Sequence, residues 1–233
     1  MHGRLRHRRS VPALADNVPA PPVRPAPHPK ATMPRITLPS LETMTPEQRT
    51  VYDKVVSGPR GRVQGPLRAA IHNPELADRW QALGELLRYR TSLPPRLSEI
   101  AILITGRHCD SPFEWYAHRK EAEKIGIAPA FIEAILAKLR PEGLGEDDAI
   151  VHDYALELNL TRSVSDATHA RAVQRFGERT VVELTALVGY YTMVAMTLNA
   201  HEIPLPEGVP AAFPLPQHAG LAAAPSPTRK SPT

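Results

Sequence analysis

The stretch PPRLSEIAILITGRHCDSPFEWYAHRKEAEKIG, residues 94–126, decides how the rest of the chain is interpreted. Its apolar residues recur at helical spacing, which predicts a first helix over residues 95–107. A break at residues 108–110 follows. The second helix is expected to begin after Ser111 as its N-cap and to end before Gly126. Two helices joined by so short a break predict a helical hairpin.

Three proton-active side chains lie in this hairpin: Glu99 on the first helix, and Glu114 and His118 on the second. Residues four apart on a helix share a face, so Glu114 and His118 are expected to stand side by side. A helical hairpin would bring Glu99 opposite them. We therefore take these three residues as the candidate catalytic site, since carboxylates beside a histidine suit acid–base chemistry.

A purely structural interpretation of the same residues stays open. Ser111 and Glu114 match the capping-box pattern S-x-x-E, in which the glutamate accepts a hydrogen bond from the Ser111 N–H. Glu99 would lie in the first turn of its helix, where the helix dipole favours an acid. Trp115 is then a packing residue. His118 is explained least well by this interpretation, because it stands among charged residues.

The weaker candidates are Ser111, Cys109, His72 and Trp115. Several residues near the break are of ligand type, but their spacing matches no well-known motif such as H-E-x-x-H. We therefore expect no metal and no cofactor. A single cysteine excludes an internal disulfide and a multi-cysteine metal site, which is typical of a protein in a reducing cytoplasm.

Proline and charge divide the chain into a middle and two ends. Of 26 prolines, nine fall in residues 1–40 and eight in residues 204–233. Such segments bury too little apolar surface to offset their chain entropy. We therefore expect a disordered basic tail over 1–35, a folded domain over 36–203, and a disordered Pro/Ala-rich tail over 204–233. The tails carry +6 and +1 of the total charge of +4, which leaves −3 for the domain.

A domain of negative net charge is a poor candidate for nucleic-acid binding, because that affinity depends on clustered positive charge. No apolar segment follows Arg8 and Arg9, so we expect no export signal and a cytoplasmic protein. The last predicted helix, residues 178–199, approaches a membrane span in length, but polar residues interrupt it and no basic run flanks it. We expect a core helix, suited to a subunit interface, and no membrane partner.

Capping signals predict the other helices. Thr45, Pro46 and Gln48 form a capping box with a first-turn proline, for a helix that ends near residue 57. Further helices are expected after Asn73, from Pro129 with Leu139 on its inner face, over residues 145–160, and after Ser165. The helix after Asn73 is expected to bury the stripe Leu76, Trp80, Leu83 and Leu87. We find no convincing strand pattern, so the predicted fold class is all-α.

Two adjoining segments carry a resemblance to a known family. LSEIAILITGRHCDSPFEWYAHRKEAEKIGI (97–127) and the preceding HNPELADRWQALGELLRYRTSLPPR (72–96) resemble the signature of the carboxymuconolactone decarboxylase family, which includes the alkyl hydroperoxidase D-like proteins. The resemblance continues through EIPLP and covers most of residues 36–206. It implies an alkyl hydroperoxidase D-like helical bundle that assembles as trimers or hexamers.

Hydroperoxidase members of that family carry a glutamate, then C-x-x-C, then a histidine four residues after the second cysteine. In this sequence the glutamate corresponds to Glu99 and the histidine to His118, whereas the cysteine positions hold Ser111 and Glu114. Peroxide reduction needs an attacking thiolate and a resolving thiol. Cys109 has no partner thiol in the chain, so the resemblance implies a member without the peroxidase cycle.

The resemblance therefore implies decarboxylation, isomerisation or lactone opening on a small carboxylated or lactone substrate, without a cofactor. His118 would donate or accept the proton, one glutamate would orient it, and the other would act as a second acid or base. Two alternatives stay open. One is a peroxiredoxin-type antioxidant activity using Cys109, and the other is a non-catalytic oligomeric scaffold.

Overall fold

A computed structural model describes residues 33–216, and within that range all regular secondary structure is helical. The helices, in chain order, are α1 (Pro46–Ser57), α2 (Leu67–Ala70), α3 (Pro74–Tyr89), α4 (Pro95–His108), α5 (Pro112–Lys124), α6 (Pro129–Leu136), α7 (Glu146–Thr161), α8 (Asp166–Phe176) and α9 (Glu178–Ala200). The all-α prediction is confirmed. Most of the two predicted tails, residues 1–32 and 217–233, lies outside the described residues.

Side-chain caps fix where several of these helices begin. The Thr45 hydroxyl accepts a hydrogen bond from the Gln48 N–H, and the Gln48 side chain accepts one from the Thr45 N–H at 3.0 Å. Asn73 caps α3 and Ser165 caps α8 in the same way, each accepting from a backbone N–H three residues later. These caps satisfy N–H groups that have no partner within the helix. The helix starts predicted from them are therefore correct.

Helix α4 forms the centre of the domain. Its ten consecutive residues 97–106 are buried, and it packs against α5, α6, α7 and α9. A helix that is largely apolar on all sides can only be stable when neighbours cover every face. Glu99 is one of those ten residues, so its carboxylate is placed inside the protein rather than on its surface.

Helix α9 packs along much of the same core. It contacts α3, α4, α5, α7 and α8, and its buried residues include Leu184, Leu187 and Tyr191. Its length and apolar composition would suffice for a membrane span, but half of its most apolar 18-residue segment is buried inside the protein. Core helices of soluble proteins share those properties. Val182 and Met196 remain exposed on its outer side.

The predicted buried stripe of α3 is partly wrong. Leu76 and Leu83 are 47% and 44% exposed, whereas Ala77 and Gly84 are buried beside the correctly predicted Trp80 and Leu87. Two neighbouring stripes of α3 are apolar. The stripe with alanine and glycine faces inward because small residues let α3 approach its neighbours α1, α2 and α9.

One further prediction, for Leu139, is corrected. Leu139 was expected on the inner face of α6, but it lies beyond the end of that helix and is 64% exposed. Residues 204–216 are expected in the disordered tail, and in the structure Phe213 of this segment packs against the core. The Phe213 ring packs edge-on against Trp115, with ring centroids 6.2 Å apart, and lies 4.4 Å from the Arg107 guanidinium. The half-buried Phe213 ring therefore adds to the packing around Trp115.

Candidate functional site

The α4–α5 hairpin brings Glu99, Glu114 and His118 together. His118 Nδ1 lies 2.7 Å from Glu99 Oε2, and His118 Nε2 lies 3.1 Å from Glu114 Oε1. All three side chains are buried. The imidazole therefore lies between two carboxylates, as the helical hairpin and the four-residue spacing predicted.

The tight connection between α4 and α5 frees Glu114 for this contact. The Ser111 N–H donates to the Gly106 carbonyl at 2.9 Å, so it is not available to the Glu114 carboxylate. The Ser111 hydroxyl makes no side-chain cap either. A Cβ on Gly106 would lie 3.2 Å from Glu114 Cγ, so the glycine allows the two helices to approach closely. The predicted capping box of Ser111 and Glu114 is therefore wrong, and the carboxylate turns toward His118.

The two carboxylates change the protonation of His118. Burial alone would lower its pKa, but Glu99 and Glu114 outweigh that effect and raise the pKa to about 9. His118 is therefore an imidazolium at neutral pH. Its Nδ1 donates a hydrogen bond to Glu99, whereas the Nε2–Glu114 approach is close but bent, and Glu114 Oε1 has no aligned hydrogen bond within the described residues. Glu99 thus fixes the ring, and Glu114 is the less constrained carboxylate.

Two tyrosines of α9 form one wall of the cluster. The Tyr191 ring packs edge-on against His118 with centroids 4.9 Å apart, and Tyr190 packs on Tyr191 at 5.3 Å. Burial raises the pKa of Tyr191 well above its ordinary value, so this phenol stays neutral. The site is thus built from α4, α5 and α9.

A cavity of about 470 Å³ leads to His118. Beside it lies a narrower space of about 50 Å³, which is lined by both His118 and Glu114 as well as the two tyrosines. Glu99 lines neither space, so it stands behind the imidazole. Besides His118, the larger cavity has one acidic lining residue, Glu121, and five basic ones: Arg60, Arg62, Arg88, Lys120 and Lys124.

The residues that complete the site were not found from the sequence. Arg60 comes from the loop between α1 and α2, Arg88 from the end of α3, and the tyrosine pair from α9. Arg60 and the tyrosines are distant from the hairpin in sequence, and Arg88 precedes it by six residues on a different helix, so only the tertiary structure brings them together. A weak signal existed in the loop GPRGRVQG, where two arginines stand among glycines, and in two adjacent tyrosines within an otherwise apolar helix.

Three of the secondary candidates lie outside the cavity lining. His72 is exposed, with Nε2 2.7 Å from the Thr37 carbonyl, and lines a separate depression near residues 33–45. Trp115 is buried against Phe213, on the core side of α5. Ser111 is fully buried, and its hydroxyl has no hydrogen-bond partner in residues 33–216. None of the three lines the cavity that leads to His118.

Cys109 is also separate from the cavity. It ends α4, its carbonyl accepts a hydrogen bond from the Asn199 amide at 2.9 Å, and its side chain is half-buried. Burial raises the pKa of the Cys109 thiol, so the reactive thiolate is disfavoured. Within the described part of the chain, no group of three or more His, Cys, Asp or Glu residues is arranged to hold a metal ion.

Comparison with known proteins identifies the fold. No protein-family model matches the chain, and no curated protein matches it significantly. A peroxidase-related protein of Ralstonia eutropha JMP134, described as an alkylhydroperoxidase AhpD core, has a TM-score of 0.63 at 15% identity over 76% of this chain and 94% of that one. A peroxidase-related protein of Silicibacter sp. TM1040 has a TM-score of 0.61 at 15% identity, over 75% and 93%.

A third solved structure is the debrominase Bmp8 in complex with 2,3,4-tribromopyrrole. Its TM-score is 0.56 at 12% identity, over 68% of this chain and 84% of that one. Identities this low show the fold alone. The chain therefore has an AhpD-like helical fold, and its chemistry must be argued from its own residues.

Proposed function

We propose that this protein is a cofactor-independent acid–base enzyme, similar to carboxymuconolactone decarboxylases, that acts on a small organic acid. The observation that supports the proposal is a cationic His118 held between Glu99 and Glu114 where the cavity ends. The fold suits this proposal, because a solved relative in fold is a debrominase, which is an enzyme. Decarboxylation, isomerisation and lactone opening all include a proton transfer that such a cluster can perform.

The two glutamates have different parts in this proposal. Glu99 holds Nδ1 from behind, which fixes the imidazolium and supports its charge. Nε2 then carries the transferable proton on the cavity side. In a decarboxylation, the C–CO₂⁻ bond breaks, its electron pair stays on the substrate as an enolate, and His118 protonates the carbon. Solvent then returns a proton to His118.

In an isomerisation, the less constrained carboxylate has a role as well. Glu114 would remove a proton from the carbon beside a carbonyl, and His118 would protonate the resulting enolate at its other end. The 3.1 Å between Glu114 Oε1 and His118 Nε2 lets the proton that Glu114 has taken pass to His118, so both groups return to their starting states without exchange with solvent. Neither route consumes an oxidant or a reductant.

A substrate screen tests the proposal. The full-length protein is incubated with carboxylated lactones and keto acids, and CO₂ release and ultraviolet absorbance are followed. We expect turnover that survives EDTA and needs no added thiol. Activity that appears only with a hydroperoxide and a thiol reductant would contradict the proposal, and a lack of turnover across the panel would favour the scaffold alternative.

The single cysteine provides a second prediction. Cys109→Ser is expected to leave turnover nearly unchanged, because the thiol lies off the cavity and its raised pKa keeps it protonated. The measurement compares kcat/KM of the two proteins on any substrate found in the screen. Peroxide consumption by the wild type that Cys109→Ser abolishes would instead restore the antioxidant alternative.

We also propose that the chain forms a trimer or hexamer through the outer face of α9. Val182 and Met196 on that face are 68% and 60% exposed, and exposed apolar patches commonly mark contact surfaces. We expect light scattering to give three or six times the chain mass, and Met196→Glu to lower it. Leu76→Glu, an equally apolar exposed site on α3, is the control. A monomeric wild type at micromolar concentration would refute the proposal.

A further inference from the structure

We infer that Arg60 and Arg88 form a subsite that holds a carboxylate of the substrate beside His118. Both arginines line the larger cavity and also the narrower space that Glu114 and His118 share. The inference rests on the proposed function for the reaction that follows binding. The capture of the anion depends only on the two arginines.

Arg60 and Arg88 differ from most arginines of the domain in their pairing. Of the sixteen arginines in residues 33–216, eleven have a carboxylate oxygen within 4 Å, as in the contact between Arg96 and Asp148. Five have none in that range, and three of these five line the cavity: Arg60, Arg62 and Arg88. Unpaired guanidinium groups gathered at one cavity indicate an anionic ligand.

The hydrogen bonds of Arg60 also indicate an anionic ligand. Its Nη2 donates to the Tyr190 hydroxyl at 3.3 Å, and its Nε is buried without a hydrogen-bond partner in the described residues. A buried donor left unpaired is costly, and a guanidinium presents parallel donors that match the two oxygens of a carboxylate. A bound carboxylate would satisfy the donors that this side chain does not use within the protein.

Gly84 shows that the position of Arg60 is built into the fold. A Cβ on Gly84 would lie 2.1 Å from Arg60 Nη2 and 2.1 Å from the Tyr190 hydroxyl oxygen. Only a glycine therefore leaves the room on α3 that this pair occupies. Tyr190 is held in turn by edge-on packing against Trp80 and Tyr191.

Charge balance also favours an anion. The buried cluster combines two carboxylates with one imidazolium, and Arg88 lines the narrower space together with Glu114 and His118. Arg88 thus offsets the remaining negative charge of the cluster, and Arg60 is left uncompensated. The cavity mouth adds Arg62, Lys120 and Lys124 against the single acid Glu121. This basic cavity in a domain of net charge −3 would attract small anions.

The subsite narrows the substrate class. The carboxylate held by Arg60 and Arg88 anchors the molecule and is not the group that reacts, since the proton donor is His118. The substrate therefore carries an anchoring carboxylate in addition to its reacting group, as in a dicarboxylate or a lactone acid. The product keeps that carboxylate.

Anion capture is tested by isothermal titration of the full-length protein at about 0.15 M salt, where exposed charges are screened. Succinate is the probe and succinamide is its neutral counterpart. We expect succinate to bind and succinamide not to bind. Arg60→Gln and Arg88→Gln should each weaken succinate binding by roughly tenfold or more, since a hydrogen bond to a charged group contributes about 1.5–3 kcal/mol.

Matched controls separate this site from general electrostatics. Arg68→Gln removes an arginine that also lacks a carboxylate partner but does not line the cavity, so succinate binding should not change. Gly84→Ala should weaken binding, whereas Gly189→Ala, whose Cβ would meet nothing within 4 Å, should not. If Arg88→Gln does not fold, succinate binding is measured with Arg88→Lys, which keeps the charge.

Two outcomes would overturn the inference: no succinate binding by the wild type, or an equal loss in Arg68→Gln and Arg60→Gln. The inference and the proposed function have separate readouts, because Arg60→Gln tests the inference through succinate binding, whereas His118→Gln tests the proposed function through turnover. Succinate binding without any turnover in the substrate screen would count against the proposed function alone.

Discussion

His118→Gln is expected to lower kcat of the proposed reaction by roughly 10²-fold or more, the usual contribution of a general acid. Glutamine can still donate a hydrogen bond to Glu99, but it cannot carry a transferable proton. Glu114→Gln should cost about as much, and the double variant little more, because residues that act as one unit are not additive. Steady-state kinetics on a substrate from the screen provides the measurement.

Glu121→Gln is the control for these variants, since it removes a half-buried acid of the cavity lining that makes no hydrogen bond or ion pair with His118 in residues 33–216. Glu99→Gln has a different expected signature. Without the charge that supports the imidazolium, the pKa of His118 falls, and the alkaline limb of the pH–rate profile should move to lower pH. Unchanged rates in both His118→Gln and Glu114→Gln would support the non-catalytic scaffold.

Stability is expected to decline as pH rises from neutral through about 9. The pKa of His118 is about 9 in the folded protein, above its ordinary value of 6.5, because of Glu99 and Glu114. Folding therefore favours the protonated ring, and this stabilisation is complete below about pH 6.5 and is lost as pH rises through about 9. Its size is on the order of 3 kcal/mol. Urea unfolding at several pH values between 6 and 10 measures it.

His118→Gln isolates this contribution from other groups that titrate in the alkaline range. The variant leaves Glu99 and Glu114 buried without their cation, so it should be less stable than the wild type by about 3–5 kcal/mol at pH 6. The difference should shrink toward pH 10, where the wild type has lost the same charge. Parallel stability curves across that range would refute the assignment of the pH dependence to His118.

The helices were largely predictable because their signals are local. Caps such as Thr45 and Asn73 act within one turn, so the sequence alone fixes where α1 and α3 begin. Which face of α3 is buried depends instead on its neighbours. Leu76 had the stronger hydrophobic character, yet Ala77 faces the core because close packing requires a small side chain there.

The candidate site divides in the same way. Glu114 and His118 are neighbours through helical spacing, which can be read from the sequence. The predicted capping box does not form, because the Gly106 carbonyl accepts the hydrogen bond from the Ser111 N–H. The S-x-x-E pattern contains no information about this competing acceptor. Arg60 and Arg88 reach the cavity only through packing of α3, α9 and the loop before α2, so the sequence marks Arg60 only weakly, by its glycine-rich loop, and does not mark Arg88.

The placement of the two tryptophans allows intrinsic fluorescence to follow two separate events. Trp80 packs against Tyr190, the hydroxyl partner of Arg60, whereas Trp115 packs against Phe213 of the segment that follows the last helix. Emission from Trp80 should therefore respond to anion capture, and emission from Trp115 to release of residues 204–216. Since the chain has no other tryptophan, Trp80→Phe and Trp115→Phe each leave a single fluorophore, and the two events become separable without any label.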